Sequence, residues 1–304
     1  MKLRTHFLFR LLILAGALLS LAACSSNDDP TDDSVETNAN RNLPTGDLPK
    51  EITKLEFPRL KGGQSIVIVH KTTDRNIVDG VNFSTEWDNK MHSQRWSCYE
   101  MYAGNTGGGV GRYPYGYPHD EDMPSQYQLK SDPYYGSGYQ HGHICPSADR
   151  QYSLEANKQT FFLSNMQPQL QKFNEVDYVW EQMEKRVRSW NVKSFRDTLY
   201  VVKGGTIDNG NIIKWLNDGT TQIPVPKYFF AAVLCKNSLG YKAVGFWFEH
   251  KDYPMNSNLA DFVVNIDELE SKTGIDFFCN LPDGVERTVQ SLPRDKVLRV
   301  WGFQ

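Results

Sequence analysis

The chain has 304 residues, of which 33 are Lys or Arg and 36 are Asp or Glu, so its formal net charge is −3. Its 39% hydrophobic and 12% aromatic content is that of a globular protein and excludes an intrinsically disordered chain. The near-neutral total also excludes a protein that binds polyanions through a general basic excess. Polyanion chemistry on this chain would need positive potential that is local or supplied by a metal ion.

The charge is distributed unevenly along the chain. Residues 1–24 hold three bases and no acid, and residues 25–50 hold six acids against two bases. Residues 51–304 keep 28 bases and 30 acids, which leaves them at −2. A body of that length can bury one well-filled core, so we expect a single folded domain over residues 56–304.

The amino-terminal segment has the pattern of a lipoprotein signal peptide. Three basic residues precede an apolar run from Leu11 to Ala23, which is too short to span a bilayer and long enough for a signal. The run ends in Leu-Ala-Ala-Cys at positions 21–24, which resembles the bacterial lipobox. We therefore expect a signal peptide over residues 1–23 and a lipid on Cys24. The predicted location is the cell envelope, at the outer membrane or cell surface or facing the periplasm. An ordinary secretory signal is the alternative.

The next segment is polar and acidic. Residues 25–50 contain almost no large apolar side chains, so they cannot bury enough surface to offset the entropy of ordering. We predict that residues 24–55 form the lipidated cysteine and a flexible tether.

The body alternates strand-like and helical patterns irregularly. Two helices are predicted, one over residues 177–190 with an apolar stripe and one over residues 267–274 that stops at a glycine. Because strands and helices do not alternate regularly, the pattern predicts an α+β fold rather than a doubly wound sheet. The strand-like runs are rich in β-branched and aromatic residues: 66–69, 96–99, 199–202, 228–235 and 243–248.

A long stretch between Gly104 and Gly138 is dense in Gly, Pro and Tyr. A loop of this length in a folded domain is usually functional. Its tyrosines either stack on nucleic-acid bases or pack the loop onto its own body: Tyr113, Tyr115, Tyr117, Tyr127, Tyr134 and Tyr135.

The loop leads into Gln140-His141-Gly142-His143-Ile144-Cys145-Pro146. Three hypotheses fit this segment. His141, His143 and Cys145 lie at i, i+2 and i+4 and could bind zinc on one strand face. One histidine could instead act as a general base near neutral pH, or both could be polar loop residues without a catalytic role.

Further along, Asn174 precedes the predicted helix, where Asn is often a cap. Glu184 and Arg188 are four residues apart on that helix and face the same way. Without further information, the pair is equally well a surface ion pair.

Several ordered motifs together carry a resemblance. Tyr139-x-x-Gly142-His143-x-x-Pro146, then Ser164-Asn165-x-x-Pro168-Gln169, then Asn174 and Glu184 resemble the DNA/RNA non-specific endonucleases, the endonuclease G-like members of the ββα-metal nucleases. The resemblance extends from the Tyr99 strand to Phe277-Phe278. It implies a ββα-metal fold with a mixed or antiparallel central sheet and flanking helices. It also implies hydrolysis of DNA, RNA or both, leaving 5′-phosphates.

The resemblance assigns a role to each matched residue. His143 falls on the general base, Asn174 on the side-chain ligand of a single Mg²⁺, for which Mn²⁺ can substitute, and Glu184 on the acid that holds a metal-bound water. Arg188 falls on an arginine that stabilises the transition state. Arg112 is the best match to a second phosphate-binding arginine. Substrate and membrane are the expected partners, with no stable protein partner.

Two features depart from the family. Gln140 and His141 stand where the family usually has Asp-Arg, which removes an acid near the metal. Asn174 and Glu184 are ten residues apart, about two more than the family pattern. A catalytically weak or inactive lipoprotein that binds nucleic acid or another ligand is therefore the alternative function.

The remaining cysteines permit disulfides in the cell envelope. The separation of Cys235 and Cys279 resembles that of a disulfide in some family members. Cys98 and Cys145 would then be the remaining pair.

Overall fold

The computed structural model describes residues 37–74, 77–208 and 210–303. Within these ranges six α-helices form: α1 Leu154–Gln159, α2 Gln171–Asn174, α3 Val179–Trp190, α4 Ile266–Thr273, α5 Asp283–Gln290 and α6 Arg294–Val300. The strands are β1 Ser65–Lys71, β2 Val81–Asp88, β3 Ser93–Tyr102, β4 Gln140–His143, β5 Met166–Gln169, β6 Thr198–Gly205, β7 Ile212–Asn217, β8 Gln222–Pro226, β9 Tyr228–Asn237, β10 Gly240–Glu249 and β11 Val263–Val264.

Seven strands form a central sheet in the order β1-β2-β3-β6-β9-β10-β11. Each neighbouring pair in it is antiparallel. The five strand-like runs predicted from the sequence fall in β1, β3, β6, β9 and β10. The predicted α+β class is therefore confirmed, and the described part of the central sheet is antiparallel.

The central sheet is buried on both faces. Along β9, Phe229, Ala231 and Val233 face one apolar cluster, which α3 covers with Trp180, Val187 and other side chains. The intervening Phe230, Ala232 and Leu234 face a second cluster under α4 and α5. Because both faces are covered, β9 is apolar without interruption rather than alternating.

A smaller unit beside the sheet carries the sequence motifs. The strands β4 and β5 form a two-stranded antiparallel sheet, although α1 lies between them in the chain, and α2 and α3 follow β5. The long loop packs beside this small sheet. Met123, Leu129 and Tyr134 from the loop lie in a third apolar cluster with Met166 of β5 and Leu216 of β7.

Part of the segment predicted as a tether, residues 37–55, contacts the folded body. Residues 37–55 lie against the body: the Asn42 side chain donates to the carbonyls of Ile52 and Pro58, and its backbone N–H donates to Asn280. Ile52 is fully buried in the second apolar cluster. Residues 25–50 carry too little apolar surface to fold by themselves. The described part of this segment is ordered because it packs against apolar surface that belongs to the body.

The predicted Cys235–Cys279 disulfide is absent. The four described cysteines, Cys98, Cys145, Cys235 and Cys279, are free and buried. Cys235 lies in the apolar cluster on one face of the central sheet and Cys279 in the cluster on the other face. Cys145 and Cys98 are likewise in opposite clusters, so neither predicted bridge forms.

The signal peptide over residues 1–23 and the lipidation site Cys24 lie outside the described residues. Among the residues that are described, none of the helices has the length and apolar character needed to cross a membrane.

Candidate active site

The pairing of β4 with β5 sets the position of His143. Gly142 pairs with Gln167 and His143 with Met166. A Cβ on Gly142 would lie 2.3 Å from Cδ of Gln169, whose side chain is fully buried and cannot easily move away. Glycine at position 142 therefore leaves the space that the Gln169 side chain fills next to His143.

His143 is held as a neutral base. Its Nε2 lies 3.1 Å from Nη2 of Arg112, and because a guanidinium can only donate, Nε2 must be the unprotonated acceptor. The ring is 9% exposed. Burial, and then the Arg112 charge, lower the pKa of His143 to about 3, against the opposing effect of the Thr160 carbonyl. Nδ1 is buried without a hydrogen bond of normal geometry and carries the proton of the neutral ring.

Asn174 is the last residue of α2, and the cap position of α3 is Tyr178. The Asn174 amide nitrogen donates to Oε1 of Gln140 over 3.1 Å. The Gln140 amide nitrogen in turn donates to Oε1 of Glu175 over 2.7 Å. This chain of amides fixes the orientation of Asn174 and leaves its carbonyl oxygen as the uncommitted atom.

Glu184 and Arg188 lie on the buried side of α3. Oε1 of Glu184 accepts from Nζ of Lys203 at 3.2 Å, and its Oε2 lies 3.9 Å from Nη1 of Arg188. The same Nη1 donates to Oδ1 of Asp149 at 3.1 Å. Burial raises the pKa of Glu184, while Lys203 and Arg188 oppose that effect. The Glu184–Arg188 pair is therefore not an isolated surface ion pair.

One cavity of about 350 Å³ collects the predicted residues. Arg112 from the long loop, His143 from β4, Asn174 from α2, and Glu184 and Arg188 from α3 all line it. His141 lines it as well, whereas Gln140 acts behind Asn174. Residues from four separate elements thus meet in one place, as the resemblance implied.

The ten-residue spacing between Asn174 and Glu184 does not displace either residue from the cavity. The turn between α2 and α3 takes up the extra length, with Asp177 in a left-handed conformation at φ 68°. The Asp177 carbonyl accepts from the backbone N–H of Asn256, and its carboxylate pairs with Lys185. Asp tolerates this conformation better than most residues, so the longer turn is stable.

His141 has a structural partner of its own. Its ring stacks between Tyr117, at 3.6 Å between centroids, and Tyr134, at 4.2 Å, and its Nε2 lies 2.9 Å from Oδ2 of Asp132. Pairing with Asp132 commits Nε2 of His141 to the long loop. The family's Arg is therefore replaced here by a side chain that anchors the long loop.

The zinc hypothesis on His141, His143 and Cys145 is not supported. Cys145 is fully buried in the apolar cluster under α3, and burial raises the pKa of its thiol to about 12. Cys145 does not line the cavity that His141 and His143 share, so the three side chains do not converge on one point. The geometry that could hold a metal through three His, Cys, Asp or Glu side chains occurs elsewhere in the described chain, at His70, Asp120 and Asp122.

That second group was missed in the sequence because His70 is 50 residues away from Asp120. Nε2 of His70 lies 2.9 Å from Oδ2 of Asp120, which also accepts from the Ser164 hydroxyl. The other Asp120 oxygen accepts from the Asp122 backbone N–H. The group is a possible cation site, but both Asp120 oxygens already have donors, and it does not line the cavity.

Two residues of the site were also missed, Asp149 and Lys203. Asp149 follows the histidine segment, but its sequence context carries no sign that it contacts Arg188 on a helix 39 residues away. Lys203 lies within a β-strand pattern, where a lysine normally indicates an exposed position. Only the packing of α3 onto the central sheet brings either residue to Glu184 and Arg188.

Comparison with known proteins gives consistent matches. A family model described as DNA/RNA non-specific endonuclease matches residues 62–284. A nuclease of Nostoc sp. is 28% identical over 229 residues, which cover 72% of this chain and 79% of that protein. A mitochondrial nuclease of Saccharomyces cerevisiae is 30% identical over 182 residues, which cover 56% of this chain and 55% of that protein.

A solved structure of EndoG in complex with EndoGI shares the fold. It has a TM-score of 0.58 at 20% identity and covers 72% of this chain and 89% of the EndoG chain. The predicted ββα-metal nuclease fold is thereby confirmed, with β4, β5 and α3 as its ββα unit. The family match spans more than half of the chain and contains every residue of the cavity. The chain therefore belongs to the DNA/RNA non-specific endonuclease family and is a nuclease.

Proposed function

We propose that the chain hydrolyses phosphodiester bonds of DNA and RNA with His143 as the general base and a divalent metal ion, Mg²⁺ or Mn²⁺, held by Asn174. The observation that carries this proposal is the convergence of a neutral histidine, an uncommitted amide oxygen, an acid and two arginines on one cavity. These are the groups that phosphodiester hydrolysis requires: a base, a cation site and charge stabilisation at the phosphoryl oxygens.

The side chains fit a hard cation. The Asn174 nitrogen is committed to Gln140, so its oxygen faces the cavity. Within the described residues, Oε2 of Glu184 has its ion pair with Nη1 of Arg188, at 3.9 Å. One neutral oxygen and one acid that reaches through water suit an ion that keeps most of its hydration shell. A cation bound there would stabilise negative charge that develops on the phosphoryl oxygens.

The Arg112–His143 contact suggests how substrate activates the base. Arg112 is exposed and donates to the same Nε2 that must take a proton from water. A phosphate is a stronger acceptor for a guanidinium than a neutral imidazole, because the hydrogen bond is charge-assisted on both sides. When substrate phosphate engages Arg112, Nε2 of His143 becomes free to accept the proton of the attacking water.

The remaining steps follow from charge and position. Arg188, held by Asp149, donates to the phosphoryl group as its charge grows. The family resemblance places the cut so that the product carries a 5′-phosphate. End analysis checks this directly, because products with 5′-phosphates are substrates for DNA ligase after nicking and products with 3′-phosphates are not.

Two variants separate the proposed base from the proposed metal ligand. His143→Ala should lower the cleavage rate by about 10²–10⁴-fold while retaining Mn²⁺ binding, because the base does not contact the ion. Asn174→Ala should weaken Mn²⁺ binding as well as cleavage. Asn237→Ala, which removes a half-buried amide at the end of β9 outside the cavity, serves as the control for loss of an Asn side chain. Near wild-type cleavage by His143→Ala would remove the assignment of the base.

We further propose that the protein is exported and anchored to the cell envelope through lipid on Cys24. The apolar run before a lipobox-like Leu-Ala-Ala-Cys sequence supports this proposal. Palmitate labelling tests it: the wild type should incorporate label and partition into detergent, and Cys24→Ser should do neither. Equal labelling of the two proteins would contradict the anchor at Cys24.

A further inference from the structure

The most unusual charged residue of the described chain is Lys203. It lies in β6 between Ser97 of β3 and Ala231 of β9, in the middle of the central sheet, and its side chain is 0% exposed. Alternate residues of β6 on the same face, Leu199 and Val201, belong to the apolar cluster under α3. The alternation along β6 therefore predicts an apolar side chain at position 203.

Stability does not explain a lysine at this position. Replacing a buried ion pair by well-packed apolar side chains of similar volume is often neutral or stabilising, because the charges are expensive to desolvate. A buried ammonium is tolerated only with a partner. Within the described chain, the ion pair of Lys203 is with Glu184, at 3.2 Å between Nζ and Oε1.

Lys203 closes a ring of contacts behind the cavity. Glu184 leads to Arg188 at 3.9 Å, Arg188 to Asp149 at 3.1 Å, and Asp149 accepts from the Tyr99 hydroxyl at 2.8 Å. The aromatic ring of Tyr99 lies 5.5 Å from Nζ of Lys203, and this contact completes the circle of residues. Two cations and two carboxylates alternate around it, and its formal charges cancel.

The ring decides which Glu184 oxygen faces the cavity. Oε1 is committed to Lys203 on the sheet side, which leaves Oε2 as the oxygen directed towards Arg188 and the cavity. A carboxylate on a helix without such an anchor would sample other rotamers. Partners that orient a metal-site ligand typically contribute 10–100-fold to metal affinity or activity.

We propose that Lys203 is a positioning residue that anchors Glu184 through Oε1 and thereby presents Oε2 to a metal-bound water before the ion arrives. This inference rests on the proposed metal-dependent function. The Lys203 ammonium itself does not touch substrate. Its charge also balances Glu184 in the metal-free protein, so the site is assembled without the ion.

The test is a double-mutant cycle with two readouts, cleavage and Mn²⁺ binding. Mn²⁺ binding is measured by electron paramagnetic resonance, which detects the free ion. Lys203→Met should weaken Mn²⁺ binding about tenfold and lower cleavage at saturating Mn²⁺ at least tenfold. Lys203→Arg keeps the charge and should restore part of both losses. Lys242→Met is the matched control, because Lys242 also packs on aromatic rings but lies against Phe195 and the Val300 carbonyl.

The double variant of this cycle remains informative even if Lys203→Met alone fails to fold. Because Lys203 is proposed to act through Glu184 alone, Lys203→Met/Glu184→Gln should bind Mn²⁺ and cleave no worse than Glu184→Gln. A further tenfold loss in the double variant would overturn the proposal, as would wild-type Mn²⁺ affinity in folded Lys203→Met. Absence of Mn²⁺ binding and cleavage in the wild type would instead overturn the proposed function.

Discussion

At the scale of single residues, the environment of His143, the proposed general base, should determine how activity depends on pH. The ordinary pKa of histidine is about 6.5, and burial with Arg112 lowers it here to about 3, so the base stays neutral at mildly acidic pH. We expect kcat/KM at saturating Mn²⁺ to show no loss from His143 protonation between pH 7 and pH 5.

The Arg112→Ala variant tests the cause of that shift. Removing the neighbouring cation makes protonation of His143 easier, so the acid limb of kcat/KM should move to higher pH even though the rate falls at every pH. Lys158→Ala, which removes a half-buried cation outside the cavity, should leave the limb unchanged. An acid limb near pH 6.5 in the wild type would show that the base is solvated rather than buried.

Gly142 gives a second prediction at this scale. A methyl group on Gly142 would overlap the buried Gln169 side chain, so Gly142→Ala should lower the free energy of unfolding by about 1–3 kcal/mol and displace His143. Gly284→Ala in α5 is the control, because its Cβ would have no neighbour within 4 Å. Urea unfolding with a cleavage assay measures both effects. Gly142→Ala as stable and active as the wild type would mean that β4 adjusts freely.

The placement of individual residues around the cavity was predictable where a motif carried them. His143, Asn174, Glu184 and Arg188 were assigned by a resemblance, and all four line the cavity. From residue chemistry alone, a zinc site that includes His143 and a surface ion pair between Glu184 and Arg188 remained alternative hypotheses. His141 was harder, since its function depends on Asp132 and on tyrosines of the long loop that no local spacing connects.

At the scale of secondary-structure elements, α3 is the part of the site that depends most on packing. Its buried face carries Glu184 and Arg188, and Asp149 from outside the helix holds the Arg188 guanidinium. We expect Asp149→Asn to lower cleavage about 10–100-fold, because Arg188 loses its charged partner, with little change in Mn²⁺ binding.

A matched variant separates orientation from charge. Glu181 lies 4.0 Å from Nη2 of the same arginine and is partly exposed, so Glu181→Gln should change cleavage little. Asn at position 149 can still accept from the Tyr99 hydroxyl, so the fold should persist. If Asp149→Asn cleaves at the wild-type rate, Arg188 does not depend on this anchor.

Elements were predictable in proportion to their length and periodicity. The stripe Val179, Met183 and Val187 predicted α3 to within two residues of its observed start. β4, with the sequence Gln-His-Gly-His, has no strand pattern and exists because it pairs with β5. The short helices α5 and α6 were missed, since each has too few apolar positions to show a period and forms against the central sheet.

At the scale of the whole molecule, the docked segment 37–55 links stability to pH. Asn40 donates to the carboxylates of Asp276 and Glu286, and burial raises the pKa of Glu286 to about 7. The folded protein therefore retains a proton that the unfolded chain has lost above about pH 4.5. This contribution to stability is present in acid and is lost as the pH rises through about 7.

Replacing the Glu286 carboxyl should reduce this loss of stability as the pH rises. The difference in Tm between Glu286→Gln and the wild type should grow from pH 5 to pH 9 in favour of the variant, while Glu268→Gln, on the exposed side of α4, should follow the wild type. Differential scanning calorimetry across this range measures the effect. Parallel Tm profiles for Glu286→Gln and the wild type would show that the carboxyl ionises normally in the folded state.

The charge of the whole molecule supports a local mechanism. Residues 51–304 carry −2, so the positive charge that meets a phosphate at the cavity would come from Arg112, Arg188 and a bound cation rather than from a general basic surface. We therefore expect weak binding of nucleic acid when divalent ions are removed.

The most direct measurement is digestion of plasmid DNA and of RNA by the purified protein with Mg²⁺, with EDTA, and with His143→Ala in Mg²⁺. The wild type with Mg²⁺ should cleave both nucleic acids, and EDTA or His143→Ala should abolish cleavage while the proteins remain folded. Cleavage that persists in EDTA, or in folded His143→Ala, would contradict a metal-dependent mechanism with His143 as its base.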